Sequence, residues 1–72
     1  MKLSDYVKEC CKKKGVSHLA DVSRVTGIQQ TTLWNKYNRN KFTNKDLEAI
    51  AEALGATLEI KFIDKETGKP VI

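Results

Sequence analysis

The stretch from residue 19 to residue 38, LADVSRVTGIQQTTLWNKYN, decides the fold, because two helical patterns meet in it at one glycine. In its first half, Leu19, Val22 and Thr26 recur at helical spacing, which places apolar or small side chains on one face. Gly27 then ends that helix, since a residue without Cβ readily adopts the left-handed conformation. A second pattern follows at once, so the stretch predicts two helices joined by a tight turn.

The second of these helices has a polar outer face. Leu33 and Tyr37 lie one turn apart on its inward face. The outward side chains are those of Thr31, Asn35 and Asn38, with Thr32 and Trp34 on the flanks. This face offers amides, hydroxyls and an aromatic ring but no acidic group, which suits contact with base edges in a DNA major groove. We therefore predict a helix-turn-helix whose second helix recognises double-stranded DNA.

Charge is distributed unevenly along the 72 residues, whose formal net charge is +4. Residues 1–45 hold 10 Lys or Arg against 3 Asp or Glu, whereas residues 46–72 hold 3 against 6. The positive part contains the predicted recognition helix, as expected if that surface meets phosphates, although a solvated basic face without a nucleic-acid role is the alternative. A hydrophobic content of 40% predicts one folded domain, and its small core makes help from a partner subunit plausible.

Three helix starts are marked by capping residues. Ser4 is expected to cap a first helix that runs to about Lys14. Ser17 is the best candidate to cap the next helix. Thr43 starts the last helix in a near capping box, and Gly55 ends it.

No catalytic, metal or cofactor site is expected. Cys10 and Cys11 are adjacent, which argues against a disulfide framework and against spaced metal ligands. His18 has no second imidazole or thiol at ligand spacing, which leaves an ordinary surface role or a phosphate contact. The sequence shows neither a constellation of nucleophilic residues nor a phosphate-binding glycine loop, so we expect that the chain is not an enzyme. The sequence shows no signal segment or long apolar run, so we expect a cytoplasmic protein without membrane association.

From Thr57 onwards the hydrophobic period changes from helical to alternating. Leu58, Ile60 and Phe62 alternate with polar positions, which predicts a half-buried β-strand, and residues 64–69 predict a turn. Pro70–Ile72 could form a short return strand or a frayed end. A lone strand leaves an unpaired edge that the same strand of a second chain could satisfy. We therefore expect dimerisation through Leu58, Ile60 and Phe62; the alternative is that the strand folds over its own helices.

Several of these features occur in an order typical of a known family. They are Val22–Ser23 shortly before Gly27, then Ile28 and Leu33, and the later run EAIAEALG at residues 48–55. Over about Tyr6 to Phe62 the chain resembles the phage-repressor-like helix-turn-helix regulators, also called the XRE or Cro/repressor family. The resemblance implies a mainly α, four-helix lambda-repressor-like domain over residues 1–56, with a C-terminal β-strand or hairpin over residues 57–72.

The resemblance also implies which residues meet DNA. Members of the family use the first residues and the outer face of the third helix for base contacts, which here are Gln29, Gln30, Thr31, Trp34 and Asn35. The ring of Trp34 could instead pack at the domain boundary. The expected contacts to the DNA backbone are Ser17, Lys36, Asn38, Arg39 and Lys41.

The chain departs from the family pattern at a few positions. Lys36 stands where an apolar residue is usual, so Tyr37 is expected to act as the anchor while the Lys36 ammonium extends towards phosphate. The glycine that often follows the recognition helix is absent, and asparagine in the segment 38–40 is expected to supply the turn. The usual glutamine near the start of the second helix is also missing.

The predicted function is a homodimeric, sequence-specific regulator that represses by occupying promoter DNA. The alternative class is an antitoxin-like or inhibitor-like module whose strand, residues 58–63, adds to another protein's sheet. RNA binding is disfavoured because the basic part lacks an aromatic platform for unstacked bases.

Overall fold

Four α-helices form the body of the protein in the computed structural model, which describes residues 2–72. They are α1, Leu3–Lys13; α2, Ala20–Thr26; α3, Gln30–Arg39; and α4, Asn44–Leu54. The predicted mainly α, four-helix architecture is confirmed. The helices α2 and α3 correspond to the two helical patterns predicted within residues 19–38. The helix α2 starts at Ala20, three residues after the predicted cap Ser17, because a separate turn lies between them.

The core lies between all four helices. Val22 and Leu33 are completely enclosed, which shows that the inward faces inferred for α2 and α3 are correct. Enclosing an aliphatic side chain of this size stabilises a fold by about 1.5–3 kcal/mol. The buried cluster consists of Val7, Cys11, Val22, Leu33, Tyr37 and Ile50.

The helix α4 begins and ends as predicted. The Thr43 hydroxyl accepts the N–H of Asp46 at 3.1 Å, and the Asp46 carboxylate accepts the N–H of Thr43 at 2.9 Å. These reciprocal bonds form a complete capping box. At the other end, Gly55 takes the left-handed conformation with φ 65°.

The start of α1 differs from the prediction. Ser4 does not cap this helix: it lies inside the first turn, and it is buried. Its backbone N–H donates instead to Oδ1 of Asn40 at 2.7 Å. The predicted cap at Ser4 is wrong because the acceptor comes from a residue 36 positions away, which no local pattern reveals.

The prediction of a C-terminal β-strand from Leu58 onwards is also wrong for a single copy of the chain. Within residues 2–72, the only β-pairing is an isolated antiparallel bridge between Ile63 and Pro70. The predicted turn does form, with the Asp64 N–H bonded to the Lys69 carbonyl at 2.8 Å. The strand does not form because residues 57–61 find no backbone partner within residues 2–72, and Pro70, on the segment that returns from the turn, has no N–H to donate.

Candidate nucleic-acid interface

The turn between α2 and α3 sets the direction of the candidate recognition helix. Gly27 has φ 79° and ψ 1°, the left-handed conformation expected for a residue without Cβ. The Thr26 hydroxyl donates to the Val22 carbonyl at 2.7 Å and accepts the Ile28 N–H at 3.2 Å. The sequence pattern indicates only that Thr26 lies on the inward face of α2, whereas the structure shows that its hydroxyl also bridges the two sides of the turn.

The inner face of α3 is anchored by Leu33 and Tyr37, which are both buried. The Tyr37 hydroxyl donates to the backbone carbonyl of His18 at 2.8 Å, and burial raises the pKa of Tyr37 above its ordinary value. The phenol is therefore a neutral donor at all physiological pH values. Its ring also meets those of His18 and Phe42 edge-on, with centroids 5.1 and 5.5 Å away. Tyr37 thus acts as the predicted anchor, and it ties α3 to the segment before α2.

The outer face of α3 is open to solvent. Among the residues that the structure describes, none of the side chains predicted to contact bases makes a hydrogen bond within the chain. Trp34 is 56% exposed, so its ring is not packed into a domain boundary. All five predicted base-contacting residues are exposed: Gln29, Gln30, Thr31, Trp34 and Asn35.

The residues predicted to meet the DNA backbone lie in different settings. Asn38, Arg39 and Lys41 are exposed around the C-terminal end of α3. Ser17 is exposed before α2, where its hydroxyl accepts the Ala20 N–H at 3.1 Å. Its N–H donates to the Asp21 carboxylate at 2.8 Å, so its polar groups already have partners.

Lys36 is the predicted backbone contact with the most distinct surroundings. Its ammonium lies 2.9 Å from Oδ2 of Asp46, and both side chains are largely covered. Burial by itself would raise the pKa of Asp46, but hydrogen bonds from the Thr43 N–H and from Lys36 hold it below its ordinary value. The ion pair connects α3 to the first turn of α4. Sequence reasoning missed this contact, since the 10-residue separation exceeds helical spacing.

His18 lies beside the anchor of α3 rather than on the outer face. Burial, together with the positive charge of Lys8, lowers the pKa of His18 below its ordinary value. The Lys8 ammonium is 5.7 Å from the centroid of the Tyr37 ring, within the range of a cation–π contact. The imidazole is therefore a neutral packing partner of Tyr37 near pH 7.

Residues 2–72 contain no group of three or more His, Cys, Asp or Glu side chains that could hold a metal ion. None of the helices in this range is long and apolar enough to cross a membrane.

A comparison with protein families gives one match that fits this geometry. A family model described as a Cro/C1-type HTH DNA-binding domain matches residues 7–59, well over half of the chain. The match includes all of α2, α3 and α4. Comparisons with curated proteins and with solved structures found no match.

Proposed function

This chain belongs to the Cro/C1-type helix-turn-helix DNA-binding family, and we propose that it is a sequence-specific transcriptional repressor that binds double-stranded DNA as a homodimer. The observation that carries the proposal is the outer face of α3, where exposed amide, hydroxyl and indole groups have no partner within residues 2–72. A helix presented in this way fits the width of a major groove. The natural place of action is the compartment that holds the genome.

The proposed base contacts follow from the chemistry of the exposed side chains. The amides of Gln30 and Asn35 can each donate to and accept from one adenine, which gives a bidentate contact. The methyl group of Thr31 can pack against the methyl group of a thymine. Gln29 precedes the helix and extends the polar surface at its start, while the Trp34 ring can cover sugar and thymine methyl groups.

The proposed backbone contacts supply the part of the affinity that depends on salt. Arg39 and Lys41 carry exposed positive charges next to the end of α3, and each can neutralise a phosphate. Asn38 and Ser17 add hydrogen bonds that position the duplex without distinguishing its sequence. Because the Lys36 ammonium is paired with Asp46, we assign it mainly to the positioning of α3.

Dimerisation is proposed through the C-terminal segment that contains Leu58, Ile60 and Phe62. Ile60 is 65% and Phe62 83% exposed, which is unusual for large apolar side chains without a partner. Two copies related by a twofold axis would present two α3 helices to half-sites about one helical turn apart. Repression would follow from occupation of promoter DNA. No observation favours the alternative of an antitoxin-like or inhibitor-like module.

The experiment that tests sequence recognition is fluorescence polarisation with a duplex enriched from a random pool by the wild-type protein. We expect the combined Gln30→Ala and Asn35→Ala variant to lose specific binding, because each bidentate contact contributes about 5- to 150-fold in affinity. Binding to a scrambled duplex should change little. The matched control is Asn44→Ala, which removes an exposed amide from α4. If the double variant bound the enriched duplex as tightly as the control, recognition by this face of α3 would be excluded.

A further inference from the structure

The segment of residues 58–62, LEIKF, leaves most of its backbone groups available for pairing. Among residues 2–72, neither the N–H nor the C=O groups of residues 57–61 bond to another backbone group. The following turn is closed by its own bonds, which include the Val71 N–H to the Phe62 carbonyl at 2.9 Å. A row of free donors and acceptors beside exposed apolar side chains is the edge to which another strand adds.

The side chains of the segment are divided into two faces. Glu59 Oε2 lies 3.6 Å from Lys61 Nζ, so these two charged groups share one face. Alternation then places Leu58, Ile60 and Phe62 on the other face. The segment therefore has one apolar and one charged face, and its two charges have opposite signs on either side of Ile60.

We propose that residues 58–62 of two copies pair antiparallel about a twofold axis through Ile60, with Glu59 of each copy opposite the partner's Lys61. This inference rests on the homodimer of the proposed function and adds its register and the residues that determine it. Leu58 lies opposite the partner's Phe62 in the same arrangement, and the two Ile60 side chains face each other. Both charge pairs and all three apolar positions are thereby matched at once.

Repulsion between like charges disfavours the two registers in which the twofold axis passes through a residue next to Ile60. A twofold axis through Glu59 would bring the two Glu59 carboxylates opposite each other, and an axis through Lys61 would do the same to two ammonium groups. Like charges directly opposite each other destabilise a pair of strands, whereas opposite charges stabilise it. An axis between two residues is also excluded, because it would require an inward and an outward side chain to share one face.

A groove in the helical body provides a surface for the apolar face of the paired segments. It has a volume of about 670 Å3, it lies between α1 and α4, and it is lined in part by Leu58 and Ile60. Leu3 and Tyr6 of its α1 side are 40% and 57% exposed. The segment thus lies along an apolar groove of its own helical body, and pairing would place the apolar face of the second copy next to that of the first.

Charge reversal tests the register in the full chain. Glu59→Lys and Lys61→Glu should each weaken the homodimer by about tenfold or more, because each replaces two attractive pairs by two repulsive ones. Mixing these two variants should give a heterodimer, since every opposed pair is again of opposite sign. The doubly reversed chain, Glu59→Lys with Lys61→Glu, should recover the homodimer. Dissociation constants from sedimentation velocity and species from native mass spectrometry are the measurements, with circular dichroism to verify folding.

The matched control is Lys65→Glu, a charge reversal at an exposed position of the turn, which should leave the dimer unchanged. A monomeric wild-type protein, single variants that dimerise like the control, or a mixture that forms no heterodimer would each overturn the proposed register. DNA recognition is measured separately with the α3 variants. If the charge reversals contradicted the register while sequence-specific binding stayed intact, only the register would be wrong. Loss of sequence-specific recognition in the α3 experiment would instead concern the proposed function.

Discussion

At the scale of single residues, Asn40 combines two functions that are usually separate. It ends α3 in the left-handed conformation, with φ 53° and ψ 41°, and so supplies the turn that a glycine often provides. Its side chain also accepts the N–H of Ser4 and thereby caps α1. Asparagine fits both functions, because it tolerates positive φ better than most residues and carries a short acceptor.

Two substitutions at Asn40 should separate these functions. Asn40→Gly keeps the turn but removes the acceptor, and we expect it to lower the free energy of unfolding by about 1 kcal/mol. Asn40→Ala also places a Cβ at positive φ, which adds about 1 kcal/mol, for a total of about 2 kcal/mol. Urea denaturation measures both. Equal losses for the two variants would show that the backbone conformation contributes nothing.

His18 should make the stability of the protein depend on pH. Its pKa in the folded chain lies below 6.5, the ordinary value, so the unfolded chain binds more protons as the pH falls through that range. The stabilisation from neutral His18 is therefore present above about pH 6.5 and is lost as the pH falls towards the folded-state pKa. His18→Gln should flatten the change in urea midpoint between about pH 7 and about pH 5. An unchanged slope in this variant would contradict the assignment.

At the scale of elements, α3 is positioned by contacts at both of its ends and on its buried face. The Gly27 turn sets where the helix begins, Tyr37 attaches it to the segment before α2, and the Lys36–Asp46 ion pair attaches it to α4. These contacts leave the outer face uncovered. Contacts to DNA can therefore form without rearrangement of the helix, which reduces the entropy cost of binding.

The salt dependence of DNA binding should distinguish the two kinds of lysine around α3. Lys41→Gln removes an exposed charge, and we expect the slope of log K against log salt to become less steep by about 0.9 for each phosphate that is no longer neutralised. Lys36→Gln should leave this slope unchanged, because its charge is used on Asp46, and should cause a small loss of stability. Titrations at several salt concentrations provide the comparison. Equal changes in slope would mean that the Lys36 ammonium leaves Asp46 and contacts a phosphate, which is the contact predicted from the sequence.

At the scale of the whole molecule, the C-terminal segment extends beyond the helical body. The radius of gyration is 13.4 Å, larger than the roughly 11 Å expected for a compact domain of this length. Beyond residue 62 the chain carries further exposed apolar side chains, among them Ile63, Val71 and Ile72. A marginal core and an uncovered apolar extension both favour assembly with a second copy.

The effect of Phe62 on DNA binding tests the homodimer as a whole. Phe62→Ser should leave the unfolding of the dilute chain nearly unchanged, because the ring is 83% exposed and contributes little to the core. It should weaken binding to a duplex with two half-sites while leaving binding to a single half-site intact. The matched control is Ile72→Ser, an even more exposed apolar residue outside the paired segment. Equal effects of the two variants on the two-half-site duplex would argue against a dimer through this segment.

The features that followed from the sequence alone act over a few positions of the chain. Gly27 and Gly55 end helices through their own conformational freedom, and Thr43 caps α4 through bonds to a residue three positions away. The spacing of Leu33 and Tyr37 gives the inward face of α3 for the same local reason. Helix order, the turn and the exposed face of the candidate recognition helix could therefore be predicted.

Only the tertiary structure decided the contacts between distant residues. The bond from Ser4 to Asn40 and the pairing of Lys36 with Asp46 depend on how the helices pack, because their partners lie beyond the reach of a helical repeat. The same holds for the C-terminal segment: alternation is a property of the sequence, but a strand exists only where another backbone supplies its hydrogen bonds. Within residues 2–72 of one chain the fold supplies a single bridge there, between Ile63 and Pro70.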